Sequence, residues 1–280
     1  MKKALLIFFA LLSAMGFAQN TNKKAYFSHD IGVFLGGAYY IGDLNSRHFF
    51  MTQPGVGVFY RFNYNWRVAF RGGFNFGSVM ADDSQTDNAD QLERNLNFKS
   101  KMQEVYAQAE FNFWEYKVGH ADYIFAPYIF LGAALMHFDP MANYQNQWIE
   151  LHGLSTEGQK TSQNPKQKQY LLWQGTIPFG AGFKLSVSKM ITLGFEWGPR
   201  KTFTDYLDDV SGKYVDPLQL AREKGATSAL MSNRTKNAVD YVNNTGKLRG
   251  NPNTKDWYFF YGFVISFKLK GKPKECKGIF

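Results

Sequence analysis

Eight segments of this chain alternate apolar and polar side chains with a period of two, which is the pattern of a β-strand with one apolar face. We predict strands at residues 31–41, 55–62, 66–77, 102–115, 123–136, 172–187, 191–202 and 256–269. The connections between them are 13, 3, 24, 7, 35, 3 and 53 residues long, so long and short connections alternate without exception. Successive connections of an up-and-down sheet lie at opposite ends. All the long loops therefore share one end.

Short turns at one end and long loops at the other are typical of bacterial outer-membrane barrels. Aromatic residues make up 18% of the chain and recur across many strands. A mean hydropathy of −0.35 excludes a polytopic helical membrane protein but not a barrel, because only one face of each barrel strand is apolar. We predict an all-β fold, an eight-stranded antiparallel up-and-down transmembrane β-barrel with external loops at about 42–54, 78–101, 137–171 and 203–255. A soluble sandwich or lipocalin is the alternative, with its apolar face inward.

The amino terminus has the pattern of a secretory signal peptide. Lys2 and Lys3 precede an apolar stretch that runs from Ala4 to Ala14, and small residues at Gly16 and Ala18 suit cleavage after residue 18. We expect residues 1–18 to be the signal and residues 19–280 to be the barrel. The expected location is the cell outer membrane.

Charged residues recur on the faces that we predict to point inward. Because eight strands leave an interior just wide enough to be filled by side chains, these charges must pair to be tolerated. A water-filled pore is the alternative interpretation. The predicted salt-bridged lumen consists of Arg61, Arg67, Arg71, Glu104, Glu110, Lys184, Glu196 and Arg200.

The fourth long loop carries signals of local structure. Asp216 followed by Pro217 predicts a helix start, and a second weak helix is predicted from Ala226 to Asn233. We expect this loop to cover the barrel mouth, with a flexible surface loop as the alternative. Three acids near its start, Asp205, Asp208 and Asp209, could bind calcium, although their spacing does not match the regular calcium-loop pattern.

No arrangement of a nucleophile and a base stands out. His48, His137 and His152 lie in or beside long loops, and nothing in their spacing joins them to a serine or an acid. One cysteine excludes an intramolecular disulfide framework and a cysteine-based zinc cluster. We therefore expect no enzyme activity, no cofactor and no resident metal, and a small rim enzyme is the alternative. A pI near 9.4 without a binding motif also argues against nucleic acid as a partner.

The carboxyl terminus is basic. Lys268, Lys270, Lys272, Lys274 and Lys277 stand against a single acid, Glu275. With an even number of strands, residues 270–280 emerge at the same end as the amino terminus, on the periplasmic side. A basic segment there could contact an acidic partner or lipid headgroups, or remain hydrated. The predicted partner contacts are Lys272, Lys274, Cys276 and Lys277.

Two segments carry a family resemblance. Residues 37–45 read GAYYIGDLN at the end of the first predicted strand, and residues 204–217 read TDYLDDVSGKYVDP just after the seventh. These motifs and the eight-strand plan resemble the PorG-like outer-membrane proteins of the Bacteroidetes type IX secretion system. The resemblance implies a non-enzymatic barrel in outer-membrane lipid, associated with a periplasmic ring that is built from a lipoprotein and its partner protein. In gliding relatives the same machinery, which serves gliding motility, exports adhesins.

The predicted topology places the two motifs on the external rim. The eighth strand lies between the seventh and the first in a closed barrel, so the motifs should lie close together. The predicted rim residues are Gly42, Asp43, Asp205, Tyr206, Asp208 and Asp209. A ring contact would have to use the opposite end, which holds the short turns and the basic terminus. The expected function is a non-catalytic component of type IX secretion, and a passive envelope barrel is the alternative.

Overall fold

The computed structural model describes residues 27–237 and 239–269. Eight long strands form a closed antiparallel barrel, which confirms the predicted fold class. A ninth strand is short and lies in the third long loop. The strands are β1 (Ser28–Ile41), β2 (Gln53–Asn63), β3 (Val68–Asp82), β4 (Asn97–Asn112), β5 (Phe125–Tyr144), β6 (Gln147–Glu150), β7 (Trp173–Ser186), β8 (Ile191–Thr202) and β9 (Trp257–Lys268).

Barrel strands that are neighbours in sequence pair with each other, and β1 pairs with β9 to close the barrel. This closing register runs from Asp30 opposite Lys268 to Ile41 opposite Trp257. The short strand β6 pairs with the end of β5 above β7. Within the described ranges, the helices are too short and too polar to cross a membrane.

The outer wall of the barrel is apolar. On β2 the outward side chains of Val56, Val58 and Tyr60 are 46%, 58% and 46% exposed, whereas Arg61 on the opposite face is buried. The other strands follow the same rule, and exposed outward side chains include Leu35, Phe70, Phe74, Val105, Ile129, Leu131, Phe179, Phe183 and Phe263. A soluble barrel would bury this face, so the alternation describes an inverted barrel with its apolar band outside.

Strands β3, β4 and β5 extend further towards the long loops than the sequence predicts. Residues 78–82, 97–101 and 137–144 were expected in loops and are strand instead, so the second and third long loops are shorter than predicted. Outward residues there, such as Lys99, Lys101 and Asp139, are polar, so the apolar alternation stops while backbone pairing continues. Their inward neighbours Phe98 and Phe138 are buried.

The long loops fold into a cap over one end of the barrel, which we call the cap end. It contains the helices α1 (Ala89–Arg94), α2 (Pro217–Lys224), α3 (Ala226–Ser232) and α4 (Asp240–Asn243). Asp216 caps α2 through the amides of Leu218 and Gln219, as the Asp-Pro pair predicts. Leu207, Val210 and Tyr170 of the loops pack into the same apolar cluster as strand residues Phe98, Phe138 and Phe260, so the cap is continuous with the barrel core.

The opposite end, which we call the turn end, is also closed. The connection between β4 and β5 folds inward and buries Tyr116 and Val118 against Ala126. Tyr116 hydrogen-bonds Thr192 at 2.5 Å, and the amide of Gly119 donates to Ser186 at 2.9 Å. This connection therefore fills the base of the barrel.

Candidate functional site: the paired lumen and the capped rim

A network of buried charges crosses the lumen, with Glu110 of β4 at its centre. Its carboxylate lies 3.0 Å from Arg61 Nε, 3.2 Å from Arg71 Nε and 2.5 Å from Lys184 Nζ. Glu196 of β8 binds the other side of the Arg71 guanidinium at 2.9 Å and 3.0 Å. Each of these side chains is almost fully buried, so the attraction is little screened by water.

A second set of contacts lies nearer the cap. Glu104 accepts hydrogen bonds from Tyr258 at 2.6 Å, from Asn75 at 2.8 Å and from Arg200 at 3.3 Å. The lumen also contains Asp30, which lies 3.9 Å from Arg61 and accepts from Asn63. The described lumen thus carries four buried acids, Asp30, Glu104, Glu110 and Glu196, against four buried bases, Arg61, Arg71, Lys184 and Arg200.

The prediction that Arg67 belongs to the lumen is wrong. It lies in the turn before β3 begins at Val68, and its guanidinium stacks over Trp66 at 4.2 Å and near Phe111 at 5.5 Å. The predicted strand started two residues early, which extended the inward alternation into the turn. The lumen residue that sequence reasoning missed is Asp30, which precedes the predicted start of the first strand.

At the cap end the two sequence motifs meet. Tyr40, from the first motif, donates to Asp208 of the second, and its hydroxyl also lies 3.2 Å from Asp256, just before β9. Asp208 accepts from the amide of Val210 and Asp256 from the amide of Leu207, both at 2.9 Å. Within the described chain neither carboxyl has a cation within 4 Å. We call these three side chains the rim triad.

If Asp208 and Asp256 are both ionised, the rim triad has a single side-chain proton, that of the Tyr40 hydroxyl, for its two carboxylates. One phenolic proton faces two carboxyl oxygens, so the second contact needs a protonated acid. Burial, together with the neighbouring carboxylates, raises the pKa of Asp208 and that of Asp256 well above their usual range. Burial also raises the pKa of Asp43, which lies nearby and accepts from the amide of Asn251 at 3.0 Å.

Gly42 lies in the chain between Tyr40 of the rim triad and Asp43, and the packing around it leaves no room for a side chain. A Cβ at this position would collide with the Tyr40 hydroxyl and the Asp256 carboxylate. Its amide donates to the carbonyl of Asn45 at 2.9 Å, which closes a tight turn. Glycine is therefore required by the packing of the triad.

This packing makes a testable prediction for Gly42→Ala. The methyl group must displace Tyr40 or Asp256, so we expect the free energy of unfolding of the cap to fall by about 1–3 kcal/mol. Gly153→Ala is the control, because nothing lies within 4 Å of a Cβ at Gly153. Amide exchange at Leu207 measures the effect, and equal protection in the two variants would contradict the prediction.

Asp209 belongs to a second buried cluster. Its carboxylate accepts from Thr156 at 2.5 Å and from Tyr170 at 2.7 Å. Arg249 donates to the carbonyl of Asp209 at 2.5 Å and lies 3.3 Å from Glu157. Burial raises the pKa of Asp209 to about 6 even though Arg249 opposes the effect.

Glu157 joins this cluster to the rest of the second motif. It accepts from the amides of Ser211 and Gly212 at 2.9 Å and 3.0 Å, and from the Tyr206 hydroxyl at 3.1 Å. Asp205 accepts from the Ser211 hydroxyl at 2.7 Å, and burial raises its pKa to about 6. The motif acids therefore hold the cap together, a role that sequence reasoning left open.

The described residues show no assembled site for calcium or for a rim enzyme, the two alternatives considered from the sequence. No group of three or more histidine, cysteine or acidic side chains there is placed to hold a metal ion. His48 hydrogen-bonds Tyr39, His137 packs against Trp173 with the rings tilted, and His152 hydrogen-bonds the Tyr170 carbonyl. The signal segment and the predicted partner contacts Lys272, Lys274, Cys276 and Lys277 lie outside the described residues.

A closed eight-stranded barrel with an apolar outer wall and paired charges inside has the fold of the small bacterial outer-membrane barrels. The chain belongs to the family described as Domain of unknown function (DUF6089), whose model matches residues 3–221. No curated protein matches the chain in sequence.

Solved structures with some similarity are small barrels. Ail, the attachment invasion locus protein of Yersinia pestis, shares 9% identity at a TM-score of 0.39, with 88% of this chain and 100% of that chain covered. Neisserial surface protein A shares 10% identity at a TM-score of 0.37, over 88% and 100% of the two chains. The N-terminal barrel domain of Pseudomonas aeruginosa OprF shares 9% identity at a TM-score of 0.36, over 87% and 100%.

Proposed function

We propose that the protein is an integral outer-membrane barrel that serves type IX secretion as a non-catalytic anchor. The observation that carries this proposal is an apolar outer wall around a described lumen in which each buried charged side chain lies within 4 Å of one of opposite charge. Such a barrel holds its position in a bilayer without offering a water-filled path. Its contribution to a larger complex is then to fix that complex in the membrane.

The proposed orientation follows from the lengths of the connections. Outer-membrane barrels have short periplasmic turns and long external loops, so the cap faces outside and the turn end faces the periplasm. Contacts with a periplasmic ring would then involve residues 64–67, 113–124 and 187–190 and the basic terminus. The rim motifs lie at the other end and stabilise the cap.

The proposed secretion role depends on the resemblance of the two motifs to the PorG-like proteins; the contact between Tyr40 and Asp208 joins these motifs in one structural unit of the cap. The test is a mild-detergent pull-down of the tagged protein from its own outer membrane. We expect a periplasmic lipoprotein and its partner protein in stoichiometric amounts. Recovery of the barrel alone, with secretion intact in a deletion strain, would instead identify a passive envelope barrel.

The filled lumen predicts that the purified protein does not conduct ions in a planar bilayer. Both ends and the middle of the barrel are occupied by side chains, so we expect no stable conductance steps at 100 mV. A large-pore porin, inserted in the same lipid, is the positive control. Steady conductance of the wild-type protein would overturn the plugged barrel.

The basic terminus gives a separate prediction. Changing Lys272, Lys274 and Lys277 to Gln removes three positive charges from the proposed ring contact without shortening the chain. We expect the amount of co-purified ring to fall by about fivefold or more, since each exposed pair contributes up to about 1 kcal/mol. The matched control changes Lys160, Lys166 and Lys168 of the cap end to Gln. Equal recovery from the two variants would contradict a role for the terminus.

A further inference from the structure

Part of the first long loop lies against the outside of the barrel. We call residues 46–52 the wall loop. Beneath it, Tyr39 of β1 and Phe259 of β9 face outward opposite each other, yet they are only 0% and 5% exposed. On the same face, Leu35 and Phe263 are also opposite each other and are 47% and 64% exposed. Protein therefore covers the outer wall at this place.

The wall loop is packed closely onto the strands. The ring of Phe49 lies 5.0 Å from the ring of Tyr39 and 5.0 Å from that of Tyr261, measured between centroids. Thr52 occupies the space beside Gly37, where a Cβ would lie 2.5 Å from the threonine methyl group. The missing side chain at Gly37 thus lets the wall loop approach the backbone of β1.

The polar atoms between the wall loop and the strands are paired. The indole nitrogen of Trp197 donates to the Tyr39 hydroxyl oxygen at 2.9 Å, and this oxygen lies 3.0 Å from Nδ1 of His48. An indole can only donate, so the phenolic proton of Tyr39 is available to His48. Unpaired polar groups are costly in a bilayer because lipid chains offer no hydrogen bonds. This pairing removes that cost from the covered wall.

The wall loop also satisfies part of its own backbone. The Thr52 hydroxyl donates to the carbonyl of Phe49 at 3.0 Å, and the Gln53 amide donates to the carbonyls of Met51 and Thr52 at 3.2 Å. Phe49 and Met51 have φ values of 61° and 49°, which are uncommon for large side chains and persist where the surroundings hold them. These three carbonyls therefore do not depend on water for a partner.

The charged side chain of the wall loop is directed to the cap. Arg47 donates to the carbonyl of Gln85 at 2.7 Å and lies 3.5 Å from Asp87, both in the second long loop. The wall loop is therefore amphipathic, with its charge on the cap side and its aromatic ring on the barrel wall.

The Phe49 ring remains 53% exposed at the edge of the apolar band. The pair of Tyr39 and Phe259 beneath the wall loop lies two residues from Ile41 opposite Trp257, which ends the closing register at the cap. This is the level at which aromatic residues of a barrel meet the membrane interface. Acyl chains at this level would bury the exposed half of the ring, whereas water would not.

We propose that the wall loop inserts the Phe49 ring among the acyl chains of the leaflet at the cap end, which is the external leaflet in the orientation proposed above. The proposal rests on the membrane barrel of the proposed function but not on its secretion role. The contact lies over β8, β9 and β1, so a loop holds this side of the barrel in the lipid in addition to the strands.

The test measures where position 49 lies when the mature protein is in lipid nanodiscs without any partner. A nitroxide is attached to Phe49→Cys in a Cys276→Ser background, and its collisions with oxygen, which concentrates in hydrocarbon, are compared with those of a water-soluble nickel chelate. The controls are Leu35→Cys on the wall and Leu248→Cys on the cap, at positions 47% and 63% exposed. We expect the oxygen-to-nickel ratio at position 49 to lie nearer to that of the wall control.

The native ring is measured separately, because the nitroxide replaces it. The protein is prepared with carbon-13 phenylalanine, and the NMR signal of Phe49 is assigned by its loss in Phe49→Leu. A lipid with a spin label close to its headgroup is then added to the nanodiscs. We expect the signals of Phe49 and of Phe263 on the wall to broaden, whereas that of Phe98, which is buried in the core, stays sharp.

The outcomes separate the wall loop from the barrel. A ratio at position 49 nearer to that of Leu248→Cys, with Leu35→Cys protected by lipid, would overturn the insertion and leave the membrane barrel intact. A label at position 49 that neither reagent reaches would show that protein covers the ring, which also contradicts a lipid contact. A sharp Phe49 signal beside a broadened Phe263 signal would do the same. Nickel access at Leu35→Cys would overturn the membrane barrel itself.

Discussion

Replacing Glu110 with Gln is expected to lower the free energy of unfolding by about 3–5 kcal/mol, because it leaves buried charges without compensation. Three cationic side chains, Arg61, Arg71 and Lys184, converge on this one carboxylate. Water does not reach them to compensate for the loss. Urea unfolding in detergent micelles, followed by heat-modifiable migration on a gel, measures the change. Glu150→Gln, at an exposed position, is the control and should have little effect.

A second substitution makes this prediction sharper. Adding Lys184→Met to Glu110→Gln removes one base with the acid, so the lumen returns to equal numbers of buried acids and bases. We expect the double variant to be more stable than Glu110→Gln alone, although the removed base was itself part of the network. If the second change destabilises the barrel further, then charge balance is not what holds the lumen together.

The cap is expected to loosen as the pH rises, which is the second large effect. An acid whose pKa is higher in the folded state than in the unfolded chain stabilises the fold at low pH, and this stabilisation is lost as the pH rises through the folded pKa. Asp209 has a pKa of about 6 against an ordinary value of 3.8, so it alone accounts for a loss on the order of 3 kcal/mol between pH 4 and pH 7. The rim triad adds a loss in the same direction, since burial raises the pKa of Asp208 and Asp256.

Local amide exchange distinguishes this effect from changes in the barrel. The amides of Leu207 and Val210 donate directly to the two triad acids, so their protection, corrected for the intrinsic pH dependence of exchange, reports the state of the cap. Asp256→Asn keeps an acceptor for Leu207 and provides a permanent donor for Tyr40. We expect this variant to protect the cap better at pH 8 and to flatten the profile. Asp139→Asn is the control, and an unchanged profile in Asp256→Asn would refute the proton-sharing triad.

The strands were predictable because the outer wall repeats one simple rule. Val56, Val58 and Tyr60 face outward and Arg61 faces inward, so alternation alone identifies both surfaces. The rule stops where the strands leave the apolar band. Lys99 and Asp139 place polar side chains on the face that is apolar elsewhere in the strands, so the alternation no longer marks these residues as strand, although cross-strand pairing continues there.

The composition of the candidate site was less predictable. The motif acids Asp205, Asp208 and Asp209 were visible in sequence, but their partners Tyr40, Glu157, Arg249 and Asp256 come from distant parts of the chain. Tyr40 lies in the first motif, whereas Glu157, Arg249 and Asp256 look ordinary in their own segments. Barrel closure and the folding of the loops bring Glu157, Arg249 and Asp256 to the motifs, so no local pattern could reveal these three partners.

The same triad has a consequence for the order in which the molecule is built. Tyr40 and Asp256 are separated by 216 positions in the chain and become neighbours through the pairing of β1 with β9. A chain that lacks its last strand still has Asp208, but it cannot hold Asp256 against Tyr40 through the pairing of β1 with β9, however well its other strands have paired. The complete triad therefore forms only after the last strand has been synthesised and the barrel has closed. An incomplete barrel lacks the Tyr40–Asp256 contact at its cap end.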